Sequence, residues 1–261
     1  MPSASRFLQD LQGRGRHLFS TGEAAEALGR SLVATRAALR RLKAKGDIAD
    51  PQRGFHVIVP PEYRTLGCLP ADQFVPDLMQ QLGQPYYVSL LSAAAYHGAA
   101  HQKPQVFQVM VPRRRRPMAC GEVRVEFISR GDMEKTPVIE RNTSRGTVRI
   151  ASAAATSLEL VGYPEHCGGL SNVATVLAEL AESVDAAALA AEAHRSPLSW
   201  TQRLGYLLSL VEASELAAAL DPVLVARKAF PVALAPSLPT ARSESDTRWK
   251  VAINVDVEPD L

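Results

Sequence analysis

The chain is poor in cysteine and has no long apolar run, and both absences narrow its class. Its three cysteines, Cys68, Cys120 and Cys167, are widely spaced and odd in number. They form no zinc-ligand pattern and suit a reducing cytosol. No apolar stretch approaches the ~20 residues of a transmembrane helix. The opening MPSASRFLQDLQGRGR lacks the apolar core of a signal peptide. A cytoplasmic protein without a membrane partner is expected. Catalytic signatures are missing too: there is no P-loop, no dinucleotide glycine fingerprint and no G-x-S-x-G turn around Ser89 or Ser92. Asp132, Glu134 and Lys135 crowd one loop but lack the strand-borne carboxylates of a nuclease metal site. The expectation is a non-enzyme with no catalytic residue, metal or cofactor.

What is present is concentrated between Phe19 and Ile58, in FSTGEAAEALGRSLVATRAALRRLKAKGDIADPQRGFHVI. Thr21 reads as an N-cap with Ala24, Ala25 and Leu28 at helical spacing behind it. Gly29 supplies a tight turn and Ser31 caps a second helix, Ser31 to Lys45. In that helix Thr35, Ala38, Leu39 and Leu42 share an inward stripe, while Arg36, Arg40 and Arg41 flank or oppose it. Gly46 ends it, and two β-prone runs follow around a turn with Pro51 and Gly54. This is the pattern of a winged helix-turn-helix, whose second helix enters the major groove of DNA. Charge agrees. Residues 1–60 hold ten Lys/Arg against five Asp/Glu, a surplus of five, whereas the whole chain is only +2. Duplex DNA is therefore the expected partner. The expected contacts are Ser31, Thr35, Arg36, Arg40, Arg41, Lys43, Arg53 and His56. Arg36 and Arg40 are assigned to base edges or close phosphates, Arg41, Lys43 and Arg53 to the backbone, and His56 to the wing.

The fold class read from the whole chain is α+β. A winged domain over residues 1–60 is followed by a linker and connecting helix over 61–85 and a C-terminal domain over 86–261. The last would comprise a small, mainly antiparallel sheet part at 86–150, a helical bundle at 151–228 and a final strand at 248–258, which could return to the sheet. The stretch PVALAPSLPTARSESD reads as loop. His97 and His101 stand four apart, but Gly98 and Pro104 end the helix there, so capping or packing is favoured over metal binding. Tyr86, Tyr87 and Tyr96 read as core.

Together these segments resemble the AbiEi antitoxins of bacterial type IV toxin–antitoxin systems, which act in abortive infection. The matching pieces are YYVSLLSAAAYHGAAHQKPQVFQVMV, TSLELVGYPEHCGGLSNVATVLAEL, RLGYLL and the closing WKVAINVDVE. Their order and spacing, more than any one piece, carry the resemblance. Where many members have an acidic residue and an aspartate before the Tyr-Pro loop, this chain has only Glu159. The resemblance implies a repressor of its own operon that binds promoter repeats. It also implies a C-terminal domain that counteracts an AbiEii-like nucleotidyltransferase toxin without necessarily forming a stable complex.

One basic run lies outside the winged segment. Arg113, Arg114, Arg115 and Arg116 sit between Pro112 and Pro117. Adjacent arginines repel one another, so the run is either a solvated loop or a second nucleic-acid contact. The alternative functions are a stand-alone transcriptional regulator, or an RNA- or nucleotide-binding protein working through this loop.

Overall fold

The computed structural model describes residues 3–99, 104–241 and 243–260. The first half of the chain contains α1 (Ala4–Gly13), β1 (Leu18–Ser20), α2 (Thr21–Leu28), α3 (Leu32–Ala44), β2 (Ile48–Gln52), β3 (Phe55–Ile58) and α4 (Val75–Gln81). Next come β4 (Tyr87–Val88), α5 (Leu90–Tyr96), β5 (Phe107–Val111), β6 (Met118–Cys120), β7 (Val123–Ser129), β8 (Val138–Thr143) and β9 (Gly146–Ala151). The rest holds α6 (Ala153–Gly162), α7 (Leu170–Leu180), α8 (Ala186–Arg195), α9 (Leu198–Leu210), α10 (Ser214–Ala226), β10 (Val232–Ala233), β11 (Glu244–Asp246) and β12 (Val251–Ile253). The fold is α+β. It divides into a first unit of residues 1–86, 105–131 and 140–149 and a second unit of 87–104, 132–139 and 150–261.

In the first unit three capped helices surround one core. Ser3 Oγ accepts the Arg6 amide of α1 and Ser31 Oγ accepts the Ala34 amide of α3. For α2 the cap is Ser20, not Thr21: Ser20 Oγ accepts the Glu23 amide at 3.0 Å. Thr21 is thereby left for another partner. Gly29 adopts φ 59°, the left-handed conformation that turns α2 into α3. Phe7, Leu8 and Leu11 of α1 meet Leu28, Leu39 and Leu42 of α2 and α3. Each such side chain contributes about 1.5–3 kcal/mol when buried. An antiparallel sheet in the order β1-β3-β2 closes the core, with β3 in its centre and all four β3 residues buried.

Further along the same unit lie three strands in the order β6-β7-β5. β6 runs antiparallel to β7, but β5 runs parallel to it, with Phe107 opposite Val125 and Val111 opposite Ser129. β4 is likewise parallel to β9, at Val88 and Ile150. The expected mainly antiparallel sheet is thus mixed. The cause lies in the connection after β5, residues 112–117. It skips one strand position, about 10 Å of sheet, and β7 then turns back from β6 into the gap.

The second unit is a helical body around α6. All residues from Ala154 to Val161 are buried, so α6 is enclosed on every side, its polar Thr156, Ser157 and Glu159 included. The Tyr87 hydroxyl donates to Glu159 Oε1 at 2.6 Å and lies 3.2 Å from the Thr136 hydroxyl. Glu159 therefore sits in the core at 1% exposure. α10 extends to Ala226 through Pro222, which forgoes one backbone hydrogen bond inside the helix.

The end of the chain differs from expectation. The supposed loop contains β10 and β11, and β12 covers only Val251–Ile253. These three form their own sheet, β10-β12-β11, instead of joining the earlier strands. Side chains hold it to α9. Gln202 Nε2 donates to the carbonyls of Phe230 at 2.7 Å and Trp249 at 3.0 Å. Asn254 ends β12 because its side-chain amide pairs with Ala235, accepting from its N–H and donating to its carbonyl. Trp249 is fully buried over Gly205 of α9, where a Cβ would collide with its six-membered ring.

Replacing Gly205 with Ala should destabilise the second unit by about 1–3 kcal/mol through overpacking. Urea unfolding followed by tryptophan fluorescence measures it. Gly13→Ala is the control, because nothing lies within 4 Å of a Cβ there. Equal effects of the two exchanges would show that Trp249 can move aside.

Candidate nucleic-acid interface

The site is built outward from α3. Its buried residues are Thr35, Ala38, Leu39 and Leu42. Helical periodicity therefore points Leu32, Val33, Arg36, Ala37, Arg40 and Arg41 to solvent, and all six are exposed. Leu32 and Val33 are 48% and 76% exposed, an apolar tip on an otherwise basic surface. Arg53 is exposed in the β2–β3 turn. The Thr21 N–H donates to the Gly54 carbonyl at 3.1 Å, which ties this turn to the start of α2.

Thr35 and His56, both named among the expected contacts, do not belong to the exposed surface. Thr35 keeps instead to the inward stripe of α3, fully buried. His56 is 7% exposed because β3 is the central strand. Its ring stacks on Phe19, its cross-strand neighbour on β1, at 5.1 Å. Both ring nitrogens are occupied: Nε2 lies 2.8 Å from Thr21 Oγ1 and Nδ1 lies 2.7 Å from Asp50 Oδ1. The other Asp50 oxygen takes the Lys43 ammonium at 3.0 Å. One carboxylate thus joins β2, β3 and the last turn of α3. Lys43 keeps a half-exposed side chain but has an internal partner.

Asp50 was not among the residues selected from sequence, although a signal existed. Ala49 pairs with Val57 and Gln52 with Phe55, so the register slips across Asp50 and Pro51. Proline cannot donate to a sheet ladder and often marks such a bulge. Asp50, at the start of this irregularity and next along from the Ala49–Val57 pair, meets His56. Burial raises the Asp50 carboxyl, but hydrogen bonds from His56 and Lys43 outweigh it and hold the group below the usual carboxylate range.

The arginine run divides by environment. Arg113, Arg114 and Arg116 are exposed, whereas Arg115 is half-buried. The Arg115 guanidinium donates to Gln52 Oε1 on β2 and lies 5.1 Å above the Phe127 ring. The loop is therefore anchored beside the Arg53 turn, within one unit. Of the histidine pair, His97 Nε2 contacts the Ala151 carbonyl at 2.8 Å, and His101 lies outside the described residues. Among the described residues no three His, Cys, Asp or Glu side chains stand together as metal ligands, and no helix is long and apolar enough to cross a membrane.

Residues 87–210 match the family model described as the AbiEi antitoxin C-terminal domain. No curated protein matches the chain. Among solved structures, the RV2827C protein from Mycobacterium tuberculosis is similar at 18% identity and a TM-score of 0.66, over 95% of this chain and 90% of that one. At that identity the likeness establishes the fold.

The Asp50 bridge has a pH signature. A carboxyl whose folded value lies below its unfolded one stabilises the fold at neutral pH. That contribution is lost as pH falls through the folded value. Wild type should be more stable than Asp50→Asn at neutral pH, with the gap closing below pH ~4. Urea denaturation at both pH values tests this, and a gap independent of pH would remove the bridge as its source.

Proposed function

We propose, on the match of residues 87–210 to the AbiEi antitoxin C-terminal domain, that the protein is an antitoxin and also a DNA-binding repressor of its own operon. The first unit acts as a winged helix-turn-helix, with α3 as recognition helix. The observation that carries the reading is the outer face of α3. Arg36, Arg40 and Arg41 are exposed there, with small, exposed Ala34 and Ala37 among them. Small residues admit the helix to a major groove, and arginines reach guanine O6/N7 or phosphates. Arg53 on the neighbouring turn and the anchored arginine loop extend the positive surface along a duplex. The second unit opposes a nucleotidyltransferase-like toxin of a type IV system, and the two activities are separable.

Binding to the protein's own upstream DNA, beside a scrambled duplex and at two salt concentrations, tests the reading. Preference for the native promoter supports the repressor. Equal, salt-sensitive binding to both duplexes would overturn it and favour a general nucleic-acid surface. Arg40→Ala should cost about 1–3 kcal/mol on the native site alone if Arg40 reads a guanine. Uniform weakening on both duplexes would assign it to phosphate.

Replacing Arg113, Arg114 and Arg116 with Ala, while leaving the anchor Arg115, should reduce the slope of log K against log salt by up to about 3. An unchanged slope would mean a merely solvated loop. A variant lacking Arg36 and Arg40 should lose repression of a promoter–reporter fusion yet still rescue growth from the co-expressed toxin. Loss of both together would show that neutralisation requires DNA binding.

A further inference from the structure

The three cysteines are scattered in sequence, yet two of them meet. Residues 66–68 and 120–122 cross with their backbones in contact. The Glu122 N–H donates to the Leu66 carbonyl at 2.8 Å. A Cβ on Gly67 would lie 3.2 Å from the Gly121 Cα, and one on Gly121 would lie 2.9 Å from the Gly67 Cα. Both glycines have positive φ, 69° and 59°. Only residues without a side chain permit this approach. It sets the next residue on one segment, Cys68, beside the preceding residue on the other, Cys120. Both thiols are buried, at 0% and 8% exposure.

The pair is electrically unequal. The Cys68 S–H donates to the Cys120 sulfur, and this hydrogen bond and burial push the Cys68 thiol up. The same bond holds Cys120 below the usual thiol range, against its burial, with help from Lys43 and the Asp50 N–H and opposed by the Asp50 carboxylate. Cys120 is also the more accessible of the two. Such a pairing of a favoured thiolate with an adjacent thiol is the arrangement of a reactive and a resolving cysteine.

We infer that Cys68 and Cys120 form a peroxide-reactive pair that closes to a disulfide within the first unit. The Cys120 thiolate attacks one oxygen of hydrogen peroxide, the O–O bond breaks, and hydroxide leaves and takes up a proton as water. Cys120 is then a sulfenic acid. The Cys68 sulfur, giving up its proton, attacks the Cys120 sulfur. The S–O bond breaks and a second water leaves. Two thiols lose two electrons and two protons, and the peroxide is reduced to two waters. Cys167, buried in the second unit, has no part in this. The inference stands apart from the proposed DNA binding, since its readout is covalent.

The test is peroxide treatment of the native full-length protein, followed by thiol counting and non-reducing peptide mapping. The expected result is a Cys68–Cys120 cross-linked peptide with Cys167 still reduced. Cys68→Ser should leave Cys120 as a sulfenic acid trapped by dimedone, and Cys120→Ser should leave Cys68 unreactive. The inference is overturned if Cys167 oxidises as fast as the pair, or if the cross-link appears only in urea. It is equally overturned if all three thiols survive in protein shown by circular dichroism to be folded.

Discussion

The basic face of the first unit depends on one partly buried bridge, the Asp50 carboxylate held between His56 and Lys43. An imidazole on the central strand, a carboxylate on the bulged neighbour and an ammonium on the last turn of α3 share it. Thr21 completes the chain of contacts at the start of α2. It is free to do so because Ser20, one residue earlier, caps the helix. A polar network in a small core is favourable only when its members are satisfied, and both His56 nitrogens are. The network ties α3, which carries Arg36 and Arg40 on its outer face, to β2 and β3 through the last turn of the helix.

Local signals made much of this fold legible. Ser31 capping α3, Gly29 at the turn, and the stripe from Thr35 to Leu42 are spacing arguments, and all three appear in the structure. What was illegible depends on pairing across the chain. His56 looked like a wing residue because a strand's own sequence does not say whether it is central or at an edge. β10, β11 and the shortness of β12 follow from Gln202 of α9, tens of residues from the strands it holds, and from Asn254, whose side-chain amide reaches back to Ala235. Cys68 and Cys120 looked unrelated because they are widely spaced in sequence, and only the crossing at Gly67 and Gly121 brings them together.

The segments that carry the family resemblance have mechanical roles here. RLGYLL supplies Gly205, and the closing segment supplies the Trp249 that covers it. The other tryptophan, Trp200, lies against Gly162 at the end of α6 in the same way. The tyrosine-rich start delivers Tyr87 to Glu159. These residues form a packed body, whereas the exposed arginines that would meet a ligand lie in the other unit. Shared motifs thus report a shared scaffold more than shared chemistry.

The chain changes unit five times, after residues 86, 104, 131, 139 and 149. The first unit is therefore not a cassette that ends where its helices end. A homologous recombination event anywhere between residues 86 and 149 would equip the hybrid's units with segments from different parents. Each unit is assembled from three separate stretches of the chain. A graft of either unit onto another protein would have to carry all three of its stretches, not one half of the gene.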